Sequence, residues 1–151
     1  MMRRAEKEIT DRAALEDILR RGQVCRLAMC EGGVPYVVPL NYGYADGCFV
    51  FHCATEGHKL DVLLANPQVC FEVSADTALV RTAHSWSMDY ECVIGWGEVE
   101  FVEGDAAKRA ALDVLVRHYA EPWDYPADTV ARTCVLRLRI QRMTGKRSRH
   151  G

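Results

Sequence analysis

Several things this sequence lacks narrow what it can do. Its longest apolar runs, over residues 34–40 and 48–51, fall far short of the roughly 20 residues that a membrane helix needs. No GxGxxG and no GxxxxGK[ST] segment occurs, so neither a Rossmann nucleotide site nor a P-loop is supported. The 7 cysteines include no CxxC pair, and their odd number argues against both a zinc ribbon and a disulfide framework. His52 and His58 lack acidic or thiolate partners at ligand spacing, so no metal is expected. Ser85 and Ser87 lie near His84 without the GxSxG elbow of a hydrolase. The N-terminus carries Arg3, Arg4 and Lys7 with no apolar stretch behind them, which does not read as a signal peptide; the expectation is a cytoplasmic chain.

What is present fits one globular domain over residues 1–151, with 1–9 and 147–151 expected as flexible tails. Apolar residues make up 49% and charged residues 26% of the chain. Most cysteines (Cys25, Cys48, Cys70, Cys92 and Cys134) sit among apolar neighbours, where a free thiol packs as a small hydrophobe; Cys53, beside His52, is the one to watch for reactivity. The net charge is −2, yet residues 129–151 carry Arg132, Arg137, Arg139, Arg142, Lys146, Arg147 and Arg149 and no acid. This run reads as a solvated strand face and tail. A nucleic-acid arm is not expected, because the tail has no aromatics to stack on bases; a small ligand bearing phosphate is the better functional partner.

Residue spacing predicts alternating short strands with a few helices. Thr10-Asp11 opens a helix carrying Ala14, Leu15, Ile18 and Leu19, with Gly22 as a left-handed stop. Period-two strands follow over 24–30, 34–44 and 48–53, separated by turns at Glu31-Gly32-Gly33 and Ala45-Asp46-Gly47. Thr55 is expected to cap a short helix ending before Asn66-Pro67. Strands are expected over 69–74, 90–102 and 134–140, a helix after Gly104-Asp105, and a loop over 76–87. Six hairpin-connected strands with few helices predict a mainly β protein, a closed or nearly closed antiparallel barrel.

Three stretches can carry chemistry. In Val38-Pro39-Leu40-Asn41-Tyr42, the proline removes a ladder donor, so the strand lies at an edge or an irregularity, with backbone groups free to meet something flat. In Phe51-His52-Cys53-Ala54-Thr55-Glu56-Gly57-His58-Lys59, two basic side chains stand at a helix start. There they oppose the macrodipole unless an anion neutralises both. A solvated Lys59 is the plain alternative. Trp96, between Gly95 and Gly97, suits either a flat ring or a subunit interface, and the glycines mark a bulge, a barrel corner or a close approach.

Together these stretches, with Asn66-Pro67-Gln68-Val69-Cys70-Phe71 and Tyr90-Glu91-Cys92-Val93-Ile94, resemble the pyridoxamine 5′-phosphate oxidase-like, FMN-binding split-barrel superfamily, in particular its nitroimidazole-resistance reductase branch. The resemblance runs from about residue 12 to 146. It implies a six-stranded split barrel that forms a homodimer with FMN at the subunit interface. It also implies that Val38, Pro39, Leu40, Asn41 and Tyr42 line the flavin ring, and that Phe51, His52, Cys53 and Ala54 run beside the ribityl chain. His58 and Lys59 would hold the phosphate, His52 would be the catalytic residue, and Trp96 would come from the second subunit. The implied activity is a flavin reductase-type oxidoreductase acting on a small molecule such as a nitroaromatic, with a separate electron donor. A pyridoxamine phosphate oxidase-like activity is the alternative, although the basic substrate-phosphate pattern of true oxidases is not evident. A flavin- or haem-binding module without turnover is another, with His52, His84 or His118 as axial ligand.

Overall fold

The computed structural model describes residues 4–81 and 83–150. Along them lie β1 (Glu8–Ile9), α1 (Arg12–Arg21), β2 (Cys25–Glu31), β3 (Val34–Leu40), β4 (Gly43–Ala45) and β5 (Cys48–Cys53). These are followed by α2 (His58–Ala65), β6 (Gln68–Arg81), β7 (Trp86–Phe101), α3 (Asp105–Arg117), α4 (Ala127–Ala131) and β8 (Cys134–Ser148). All strand pairings are antiparallel.

Local chemistry explains the boundaries. Asp11 caps α1, its carboxylate accepting from the Ala14 amide at 2.9 Å. Both tight turns use left-handed backbone at their two central positions, Gly32 (φ 56°) with Gly33 (φ 82°) and Asp46 (φ 50°) with Gly47 (φ 75°), which matches the twist of the strands they join. The expected left-handed stop at Gly22 is corrected: its φ is −62°. Glycine is required there for space, because a Cβ would stand 2.2 Å from Val73 Cγ1 and 2.7 Å from the Tyr42 hydroxyl.

The strand order is β3-β2-β6-β7-β8-β5-β4, with β1 added to β8. Its two edge strands, β3 and β4, are nonetheless joined by only Asn41 and Tyr42. So short a link spans roughly 10 Å at full stretch. The sheet must therefore curl until its edges nearly meet, leaving a slit rather than a closed seam. This is a split barrel.

Three expectations change. The six strands become eight, because the strand over 34–44 breaks at Asn41-Tyr42 and β1 is added. The expected loop over 76–87 shrinks to the connection between Arg81 and Trp86: β6 and β7 extend as a long hairpin with Leu79 opposite Met88 and Arg81 opposite Trp86. Period two is blurred there because residues 76–79 are all exposed, so no core selects alternate positions. Of the residues expected as tails, 8–9 and 147–148 lie in strands, where Glu8 pairs with Lys146 and Arg147 and Ser148 pair with Glu91 and Tyr90; residues 1–3 and 151 lie outside the described residues.

The barrel is filled by Leu27, Phe49, Phe51, Phe71, Val73, Val93, Leu136 and Leu138, with Leu15, Ile18 and Leu19 of α1 and Leu60, Val62 and Leu63 of α2 in the same core. A second cluster lies under α3, where Ala111, Leu112 and Leu115 meet Val50, Val135 and Val130. The β7–β8 register shifts between Trp96 and Gly97. Gly97 has no room for a side chain, since a Cβ would lie 2.1 Å from the Arg139 carbonyl oxygen.

The basic C-terminal run is largely engaged inside the molecule. Arg137 and Arg139 pair with Glu100 at 3.1 and 2.6 Å, Arg132 pairs with Asp128 at 2.7 Å, and Arg147 and Arg149 pair with Glu91. The Arg142 guanidinium lies 4.0 Å from the Trp96 ring centroid. Such a face is a poor fit to a free nucleic-acid arm.

Candidate functional site

The slit is bordered by unpaired strand edges. Among the described residues β3 pairs only with β2, and β4 covers β5 only as far as Val50, opposite Gly43. The backbone of β3 on one side, and of Phe51, His52 and Cys53 on the other, therefore keeps groups outside any ladder. The expectation that Pro39 lies on an edge strand is met.

Strand alternation sorts the side chains. On β3, Tyr36, Val38 and Leu40 pack against the core, whereas Val37 and Pro39 face outward. Asn41 is exposed in the two-residue link. Tyr42 is fully buried beside Phe49 and His118, and its hydroxyl donates to the Leu19 carbonyl at 2.7 Å. Its amide donates to the Tyr119 hydroxyl at 3.0 Å. Both the amide and the hydroxyl of Tyr42 thus have partners inside the protein. Phe51 is likewise sealed in the core, so only its backbone reaches the slit. His52 and Ala54 are exposed, and Cys53 stands at the rim of the core.

The helix that follows starts later than expected. Thr55 does not cap it; Gly57 holds the N-cap at φ 135°, a conformation that side chains disfavour, and no side chain caps the helix. The first helical bonds run from the Leu60 and Asp61 amides to the Gly57 carbonyl, so the amides of His58 and Lys59 precede them. His58 and Lys59 are the first two residues of α2, with Asp61 as the one acid in that turn. The His58 ring meets Tyr36 edge-on at 4.8 Å, which ties α2 to β3. Partial burial, followed by the Lys59 ammonium, holds His52 below the ordinary histidine value. His52, His58 and Lys59 are thus brought to one end of the slit.

Trp96 stands elsewhere, on the outer sheet face. It lines a cavity of about 310 Å³ with Ala28, Cys30 and Cys70. Beside it run Ile94 and, in the same cross-strand row, Ala28 and the 59% exposed Val37.

Sequence reasoning did not single out Tyr36 or Tyr119. Tyr36 lies inside the strand that was read correctly, but only the folded contact shows it beside His58. Tyr119 was visible in the helical pattern, yet its bridge from the Tyr42 amide to the Gln23 carbonyl spans 96 positions of chain.

The family model for pyridoxamine 5′-phosphate oxidase matches residues 11–147. The chain belongs to that family. Within this oxidase-like family, the chain is similar to a candidate 5-nitroimidazole antibiotic resistance protein from Bacteroides thetaiotaomicron. The two are 35% identical with a TM-score of 0.85, over 92% of this chain and 85% of that one. It is similar also to an FAD- and haem-binding protein from Mycobacterium smegmatis, 25% identical with a TM-score of 0.82, over 95% of this chain and 74% of that one. A flavocytochrome from Azotobacter vinelandii, at 20% identity and a TM-score of 0.84, shares the fold over 99% of this chain and 73% of its own. An uncharacterised protein from Rhizobium meliloti is 27% identical over 66 residues, which span 44% of this chain and 43% of the relative's length. Among the described residues, no helix is long and apolar enough to cross a membrane.

Proposed function

We propose that this oxidase-family chain is a homodimeric FMN-dependent oxidoreductase of the flavin reductase type, acting on a small organic substrate such as a nitroaromatic. The observation that carries this reading is the slit itself: two unpaired strand edges run toward a helix start that lacks a side-chain cap and bears Lys59. The fit is chemical. Lys59, His58 and the first amides of α2 offer cation and N–H donors to a phosphate, with Asp61 offsetting part of the charge. Along Val38, Pro39 and Leu40, alternate residues turn their backbone groups away from β2, and these, with the Asn41 backbone, offer hydrogen bonds to a planar ring. When bound, FMN supplies an electron- or hydride-accepting ring.

The chain's own groups then position and exclude. Leu40 and Val38 close the apolar wall. Cys53, Ala54 and the Phe51 backbone flank the slit. His52 is neutral near pH 7, because its pKa is lowered, so it presents one N–H donor and one acceptor toward a reacting group. The exposed Val37 and Ile94, with Trp96 beside them, support an outer-face contact with a second copy.

Purified protein should show flavin absorption, or acquire it when FMN is added; no flavin band under either condition refutes the reading. Lys59→Ala should weaken FMN binding by about 1.5–3 kcal/mol, roughly 10- to 150-fold. The resemblance to the Mycobacterium smegmatis protein favours a second reading, a module that holds haem, and a Soret band would decide for it. His118 is a poor axial ligand, since its Nε2 lies 2.6 Å from the Gly22 carbonyl oxygen and its ring is packed against Tyr42 and Tyr119.

A further inference from the structure

Cys53 ends β5 and Cys134 begins β8, and the two are directly opposite in the antiparallel register. Among the described residues they are the one pair of cysteines matched across a ladder. Directly opposed residues on antiparallel strands have Cα atoms about 4.5–5.5 Å apart, inside the window of roughly 4.4–6.8 Å that a disulfide requires. Both thiols are free, and both are half-buried on the rim of the barrel core. Their pair is the last of the β5–β8 ladder, where the strands separate toward residue 54 on one side and residue 133 on the other. Strain from closing the bond can relax into those flanking segments.

We infer that Cys53 and Cys134 form a redox-active dithiol that is oxidised to an intrachain disulfide by exchange with small disulfides of the glutathione class. The access route is visible. Cys134 lines a cavity of about 320 Å³ with Thr55, Leu60, Phe101 and Lys108; Glu56, Asp61 and Glu103 line it too, so its charge does not select for an anionic reagent. Burial, then the neighbouring Cys53 thiol, push Cys134 up to about 11; the exchange can begin at either sulfur.

One of the two cysteines, as thiolate, bonds to one sulfur of the reagent, whose S–S bond breaks and releases one thiolate. The other gives up its proton and bonds to the sulfur of the first, breaking the mixed disulfide and releasing the second thiolate. Both thiolates leave protonated, as two thiols. The protein loses two protons and two electrons, and the reagent gains them. The bond fastens the segment that leads from His52 to α2 onto the start of β8. This inference does not rest on the flavin reading, because exchange needs no flavin.

Full-length protein, reduced and desalted, is incubated with oxidised glutathione and read by intact mass and by peptide mapping without reductant. The expected product is two hydrogens lighter, with Cys53 joined to Cys134 and without a stable glutathione adduct on either. In Cys134→Ser the adduct should persist on Cys53, because the resolving thiol is gone. Blocking wild type with an alkylating agent before oxidation should abolish the link, and in unblocked protein the five other cysteines are the internal control for general reactivity. Stable glutathione on both residues of wild type, a bond to some other cysteine, or no change at this pair overturns the inference. These readouts concern wild-type protein and stand even if a serine variant fails to fold.

Discussion

Replacing Glu91 by glutamine tests the energetics most directly. Its side chain is 3% exposed, yet it is charged. Arg21 of α1 donates to it at 2.5 Å, Arg147 of β8 donates from Nε, and Arg149 pairs with it at 3.2 Å. Burial is the largest single influence on its proton affinity and pushes it up. The hydrogen bonds from Arg21 and Arg147 and the charge of Arg147 outweigh burial together, and the net result lies below the ordinary glutamate value. Glutamine keeps the shape and removes the charge. Breaking a fully buried pair costs about 3–5 kcal/mol, but the three guanidinium groups here are 36–47% exposed and keep water. Arg21 and Arg149 also retain Asp76, at 2.6 and 3.2 Å. A loss of about 2–3 kcal/mol is therefore expected, which for a chain of this size lowers the thermal midpoint by roughly 4–12 °C. Because the folded pKa is depressed, the stabilisation is present above the unfolded value near 4.3 and is lost as pH falls through the lower folded value. Urea unfolding at pH 7 and at steps down to pH 3 should show wild type losing stability on acidification, with a flatter profile in Glu91→Gln. A loss at pH 7 below about 0.5 kcal/mol, or parallel pH profiles, would refute the account.

Other expectations are narrower. In Lys59→Ala, histidine NMR titration should show the His52 pKa moving up, because the neighbouring ammonium that lowers it is gone. Tyr42→Phe removes a buried hydroxyl that donates to Leu19 and should cost about 1–2 kcal/mol in urea unfolding, with little change in m-value. Gly97→Ala forces a Cβ against a carbonyl oxygen at 2.1 Å and should destabilise by about 1–3 kcal/mol or more, read as a lower thermal midpoint. Trp96→Glu on the outer sheet face should shift the molar mass measured by light scattering from two chains toward one while leaving far-UV dichroism unchanged; an unchanged mass would remove that face from the contact.

Turn chemistry made much of this architecture legible in advance. Gly32-Gly33 and Asp46-Gly47 require left-handed backbone that few other pairs adopt, so two hairpins could be placed from adjacent residues alone. Pro39 marked an edge strand for a similarly local reason. The long β6–β7 hairpin was hidden because residues 76–79 face water, and alternation is written into a sequence only where one face is buried. At the site, Lys59 and His58 were visible as a misfit of charge and helix direction, and the structure adds that Gly57, not Thr55, sets where that helix begins. The partner of the Tyr42 hydroxyl was not visible: it donates to Leu19, 23 positions earlier in the chain. No local pattern encodes such a partner. The Cys53–Cys134 pairing is hidden for the same reason: it depends on the register of two strands far apart in the sequence.

The place of β8 in the strand order bears on how the chain is made. This last strand, 15 residues long, lies between β7 and β5 and also carries β1. During synthesis every earlier strand leaves the ribosome before it. Until it emerges, β5 has no neighbour except the three-residue β4, and the far side of β7 stays open. The N-terminal hairpins can assemble early from local contacts, but the barrel cannot close. Newly made chains thus pass through a stage with open strand edges, prone to pairing with other chains, which ends only when residues 134–148 are free to insert.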